Sequence, residues 1–404
     1  IFAFQFIDFI TNTVPTIIIM ASTAKITTPL TALLGMEHPI MLAGMDSVAG
    51  PELAAAVTNA GGFGTLGGAR YTPDMLREMI ADMKARLVNK DAPFGVDLLV
   101  PQVGGSARKT NYDYTKGHLN ELVDIIIESK AKLFVSAVGV PPAWAVEKLH
   151  KAGILYMHVH KACQAGADII CAQGGEAGGH TGDIPTRQVL FPLHLDPRLD
   201  IVKQYKSPLT GKPVLLVTGG GVNDGRSLAS SLMLGASGVW VGTRFTASVE
   251  SKYPESVKKE VIEASYDSWV RSLIWSGRPL RALRTPYVDD WEANRQNEIK
   301  DLTSRGLVPL EYELEKLHHE GKLTDEIEEQ AALRLSVDRC NDCCLKQRLL
   351  IAFTLTRIGR PIGIVAGSVN KPGQTAAEIV NEMVKEAADL LGAAPFYLAP
   401  ESKL

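Results

Sequence analysis

Between Ala172 and Thr186 the chain reads AQGGEAGGHTGDIPT, in which five glycines surround one histidine, His180. Imidazole is the side chain that titrates nearest neutral pH, so it is suited to take a proton from a bound molecule. A core histidine is framed by apolar neighbours, whereas His180 stands among Gly178, Gly179, Thr181 and Gly182. Glycine lets backbone approach a ligand closely. A plain glycine turn is the simpler alternative. Glu176 and Asp183 are carboxylates near enough in sequence to orient the ring, although each also reads as a solvated side chain. Two more glycine-bearing stretches, VTGGGVNDG (217–225) and VWVGTRF (239–245), offer backbone N–H groups to an anion, those of Gly220, Gly221, Gly242 and Thr243.

Positioning these groups requires a scaffold, and hydrophobic periodicity supplies one. Eight short apolar runs recur, at 38–44, 63–68, 94–100, 132–139, 153–159, 167–174, 212–220 and 238–245. Their near-continuous apolarity predicts strands buried on both faces, as in a parallel sheet. Helix signals lie between them: Pro51 opening PELAAAVTNA, Thr72 before PDMLREMIADMKARL, Pro141 and Pro142 before AWAVEKLH, and Asp224 before GRSLASSLMLG. Eight such units predict an α/β fold, a TIM (β/α)8 barrel spanning 30–245. A doubly wound open sheet would show fewer strands and one dominant crevice. Most of the runs end in small or polar residues, and in a barrel those ends converge on one face, where sites are built.

The glycine stretches then follow the seventh and eighth strands, the usual place for a phosphate in such a barrel. No strict G-x-G-x-x-G with an acid about twenty residues on follows the first strand, so a Rossmann dinucleotide site is not supported. A phosphate at these loops beneath an apolar mouth suits FMN. Its ring would be edged by Ala43, Gly44 and Met45 after the first strand, and Gln173, ending the sixth, would donate to a ring atom. Asp97, inside FGVDLLV, points either toward the mouth or into a satisfied polar niche.

Composition sets outer limits. The 404 residues are 46% hydrophobic and 22% charged with a formal charge of −3, which gives no basic face for a nucleic-acid partner. The apolar opening, IFAFQFIDFITNTVPTIIIM, is interrupted by Asp8, Asn12 and Pro15 and lacks a basic flank, so neither a membrane span nor a signal peptide is expected. The five cysteines form no disulfide framework. Cys340, Cys343 and Cys344 cluster, and His318 and His319 are the nearest added ligands, but a zinc site is not expected; nor is one at His158 and His160, which have no evident third partner. The final residues, Ser402, Lys403 and Leu404, match a peroxisomal address read by an import receptor.

Taken together, MLAGMDSVAGPELAAAVTNAGGFGTLG, FGVDLL, AGADIICAQGGEAGGHTGDIPT, PVLLVTGGGVNDGRSLASSLMLGASGVWVGTRF and GRPLRALRTPYVDDWE resemble the nitronate monooxygenase (2-nitropropane dioxygenase) family, especially its fungal members. The likeness covers most of 30–300 and resumes near GSVNKPGQTAAEIVNEMV. It implies an FMN-bearing barrel that oxidises alkyl nitronates or nitroalkanes with O2 to a carbonyl compound and nitrite, with His180 as the catalytic residue. It carries flavin contacts to Ala43, Gly44, Met45, Gln173, Gly178, Gly220, Gly221, Trp240, Val241, Gly242 and Thr243. Asp97 stands where the family usually has asparagine. An NAD(P)H-dependent flavin reductase of quinones or enoyl thioesters is the alternative on the same barrel.

Outside the barrel, 246–334 reads as a helical appendage, with an irregular basic stretch at IWSGRPLRALRTPYVDDWE, and 358–404 as a C-terminal segment carrying an amphipathic helix at 375–392. Three features depart from the resemblance: an extension at 1–29, a short connection after the fifth strand, and a cysteine-rich insertion at 335–357. Each is expected if intron sequence has been translated, or exon sequence lost.

Overall fold

The computed structural model describes residues 25–46, 48–158, 165–186, 202–324, 327 and 360–397. His160, Cys163, the cluster at Cys340, Cys343 and Cys344, the insertion at 335–357, the connection at 159–164 and the terminal Ser402-Lys403-Leu404 lie outside them.

All eight expected strands form: β1 (Ile40–Leu42), β2 (Thr65–Gly68), β3 (Gly95–Leu99), β4 (Leu133–Ala137), β5 (Leu155–His158), β6 (Ile169–Gln173), then, after a two-residue strand β7 (Gly179–His180), β8 (Leu215–Gly219) and β9 (Gly238–Val241). The eight pair in parallel in the order β1-β9-β8-β6-β5-β4-β3-β2. A parallel bridge from Met41 to Phe63 brings β1 back to β2 and closes the ring. This is the barrel expected from the apolar runs, with β7 outside it.

Alternation along each strand sorts side chains between two cores. Met41, Leu133, Val135, Leu155, Met157, Ile169, Cys171, Val217 and Trp240 fill the barrel, and Leu30 and Leu34 join them from the helix Pro29–Leu34. Their neighbours in sequence, such as Ile40, Val96, Phe134, Ile170, Leu216 and Val241, face the surrounding helices. Burying one such side chain contributes roughly 1.5–3 kcal/mol.

The helices begin where local chemistry starts them. Thr72 accepts from the Met75 N–H ahead of Pro73–Arg86, and Asp224 forms a capping box with Ser227 ahead of Gly225–Met233. Thr375 and Glu378 do the same for the terminal helix Ala376–Ala393. That helix buries Ile379, Val380, Met383 and Ala387 in the barrel's outer core. Gly225 permits the contact, since a Cβ there would stand 2.5 Å from the Ala387 nitrogen.

After the barrel, the basic stretch expected to be irregular (274–292) contains one ordered strand, which pairs with another just ahead of it. β10 (Trp269–Ser272) and β11 (Leu280–Leu283) pair antiparallel, and β11 also pairs with β7. Arg281 is why the pattern reads as irregular: it is buried in β11, its guanidinium 4.2 Å from the Trp269 ring centroid. The helices Pro286–Asn294, Gln296–Ser304 and Pro309–His319 pack on this hairpin around Trp291, Ile299, Leu302 and Leu310.

Candidate active site

At the carboxyl ends of the strands a cavity of about 570 Å³ opens. Ala43, Gly44, Met45, Asp97, Gln173, Gly178, His180, Gly220, Gly221, Trp240, Gly242 and Thr243 all line it. Val241 does not. One register step separates it from the inward-facing Trp240, and its side chain belongs to the outer core; its carbonyl accepts from the Ala43 N–H at 2.9 Å.

His180 is held, not loose. The glycine-rich segment is tied by β7, where His180 lies opposite Leu280 and Gly179 opposite Arg281. Gln173 donates to the His180 carbonyl at 2.8 Å, and the Thr181 N–H donates to the Pro279 carbonyl at 3.1 Å. Gln173 therefore has one amide hydrogen left for a ring atom of a ligand. The carboxylates near His180 in sequence do not orient it. Glu176 accepts from both the N–H and the hydroxyl of Thr186 at 2.7 Å, and Asp183 pairs with Arg271. The partner of the ring is Ser276, whose Oγ lies 2.9 Å from Nε2.

Burial, reinforced by the positive charge of Arg278, pushes the His180 imidazole down to about 4. The ring is neutral at physiological pH, the state in which it accepts a proton. Arg278 lines the same cavity and is fixed through Nε and its terminal nitrogen to the Asn111 side-chain oxygen, at 3.0 and 2.9 Å. Ser276 and Arg278 fall in the basic stretch already noted, but one hydroxyl and one guanidinium among many carry no periodic signal that would single them out.

The glycine turns after β6, β8 and β9 meet beneath a segment from the far end of the chain. Gly220 and Gly221 have φ of +88° and +74°, which favours glycine. A Cβ on Gly178 would stand 2.6 Å from the Ile362 carbonyl carbon, and the Gly363 N–H donates to the Thr243 hydroxyl at 2.8 Å. Arg360 and Pro361 line the cavity beside them. On the floor, a Cβ at Gly44 would come within 2.0 Å of an Asp97 carboxyl oxygen, so glycine is required there. His158, the other histidine of the cavity, meets the Ser136 carbonyl through Nδ1 at 2.9 Å. Among the described residues no group of three metal-ligating side chains assembles, and no helix is long and apolar enough to cross a membrane.

The family model for nitronate monooxygenase matches residues 27–334. A (3aS,4S,5R,7aS)-5-hydroxy-7a-methyl-1-oxo-octahydro-1H-indene-4-carboxyl-CoA dehydrogenase from Mycobacterium tuberculosis is 34% identical over 67% of this chain and 69% of its own. A probable nitronate monooxygenase from Staphylococcus saprophyticus is 29% identical over 69% of this chain and 82% of its own. The structure of FabK from Thermotoga maritima superposes with a TM-score of 0.64 at 25% identity, covering 92% of this chain and all of that one.

Proposed function

The chain belongs to the nitronate monooxygenase family, and from that premise we propose that it binds FMN at the barrel mouth and oxidises alkyl nitronates with O2 to a carbonyl compound and nitrite. The cavity fits the group. Its lining includes glycine at 44, 178, 220, 221 and 242, so at these positions no side chain stands between the backbone and a flat ring or a phosphate. Gly220, Gly221, Gly242 and Thr243 would hold the phosphate, Ala43 to Met45 would edge the ring, and Gln173 would offer its remaining amide hydrogen. Bound there, the flavin supplies the electron acceptor that the side chains lack.

The observation that carries the proposal is the neutral His180 fixed at the cavity edge beside a fixed cation. With Nε2 directed at Ser276, and the Ser276 hydroxyl 3.5 Å from the Arg278 carbonyl, Nδ1 is the proton acceptor. It takes the α-proton of a neutral nitroalkane, and the charge left on the nitro oxygens is of the sign Arg278 attracts. A substrate that arrives as the nitronate skips the proton transfer and needs only orientation. The test is anaerobic mixing of the purified flavoprotein with ethyl nitronate: loss of the oxidised flavin spectrum, and nitrite once air is admitted, are expected. A spectrum unmoved by nitronate would end the proposal.

A second reading, reduction of an enoyl thioester or quinone by NAD(P)H, is favoured by a neighbouring cavity of about 660 Å³ that shares Arg108, Val138 and Arg278 with the first and has room for a longer substrate. Rapid anaerobic bleaching by NADPH would select this reading; a flavin that ignores NADPH and responds to nitronate selects the first.

A further inference from the structure

The floor of the cavity holds an acid that no donor among the described residues answers. Asp97 projects from β3 into the barrel, 4% exposed, and its Oδ1 is buried with no hydrogen-bond partner among the described residues. The backbone of Gly44 packs against its other oxygen so closely that not even a methyl group would fit between them. The carboxyl cannot swing away from the cavity on that side.

Its surroundings put no charge beside it from β2 or β6. Burial and the Asp97 carboxyl keep Tyr71, beyond β2, and Cys171, on β6, protonated, and Asp46 bears on the same Tyr71 hydroxyl. Arg108, Arg278, Arg360, His158 and His180 line the cavity too, yet none offsets the burial of Asp97, which pushes its carboxyl well above the usual range. A buried acid with no partner keeps its proton, and a protonated carboxyl has one O–H to give.

We propose that Asp97 is a neutral carboxylic acid whose O–H donates to a ring heteroatom of the bound flavin, so that the protein holds its cofactor only while Asp97 is protonated. This rests on the flavin reading above and adds an alkaline limit to it. The proton stays on Asp97 throughout, so no redox or transfer step is involved.

The test measures FMN affinity of the apoprotein by fluorescence quenching from neutral to alkaline pH, for the parent and for Asp97→Asn. An amide keeps a donor at this position and does not titrate. The parent is expected to lose about tenfold in affinity per pH unit above the Asp97 ionisation, whereas the variant loses only what the ionisations of FMN itself impose. Parallel profiles for the two proteins would overturn the assignment while leaving the flavin reading intact. Failure of the parent to bind FMN at any pH would overturn the flavin reading itself. If the variant does not fold, infrared spectra of the parent decide: a protonated-carboxyl carbonyl band at neutral pH that vanishes at alkaline pH supports the proposal, and its absence at neutral pH refutes it.

Discussion

His180 lies opposite Leu280 in the pairing of β7 with β11, so the imidazole in a glycine-rich segment of the barrel is placed by a strand that follows the barrel. Its position and its chemistry are both set from there. Leu280 fixes the backbone, Ser276 the ring, and Arg278 adds positive charge, all within one short stretch.

Replacing His180 with asparagine removes the base while preserving the backbone bridge. His180→Asn is expected to retain flavin and to lose about a hundredfold or more in kcat/KM on neutral nitroethane, with a smaller loss on its anion. Steady-state rates on the two forms check this, and equal rates for parent and variant on the neutral form would refute the base assignment.

The pH profile follows from the direction of the shift. The imidazole must be unprotonated to act, and its pKa is lowered to about 4, so activity on a neutral nitroalkane falls only as pH drops through that value and is level through neutrality. Arg278→Gln removes the cation that helps to depress the ring, and the acid limb should rise by roughly one pH unit. Arg278→Lys keeps the charge and should leave the limb nearer its original place.

The two left-handed glycines after β8 give a stability test with a binding readout. Gly220→Ala and Gly221→Ala should each cost roughly 1–2 kcal/mol of backbone strain. At Gly220 the added methyl also comes within 3.0 Å of the Ala177 nitrogen. Weaker FMN retention is therefore expected of both, and more of Gly220→Ala; an unchanged Tm and undiminished flavin content would count against the phosphate turn.

Gly178→Ala probes the seam with the C-terminal segment. The new Cβ would stand 2.6 Å from the Ile362 backbone, so Arg360 and Pro361 would be lifted from the cavity wall. Limited proteolysis should cut the variant near residue 360 sooner than the parent, with parallel loss of flavin. Identical cleavage of the two proteins would show the seam to be unimportant.

The barrel was legible in the sequence because each of its strands is buried on both faces, which leaves a run of apolar residues that no surface pattern imitates. Loop glycines were legible for a similar reason: Gly220 and Gly221 occupy backbone conformations that other residues avoid. Val241 illustrates the limit of such reading, for the strand was located from its apolar run while the outward direction of this side chain is seen only in the fold. β7 and β11 were hidden because one is two residues long and the other buries arginine where a strand core normally has aliphatic residues. Arg278 and Arg360 reach the cavity, and Ser276 the His180 ring, only through tertiary folding, which leaves no local trace.

The seam at Gly178 also dictates an order of events during synthesis. Residues 360–363 are translated long after the turns around which they supply part of the wall. A nascent barrel that has not yet reached residue 360 has an unfinished vestibule, and a product cut short before that point lacks part of the compartment wall.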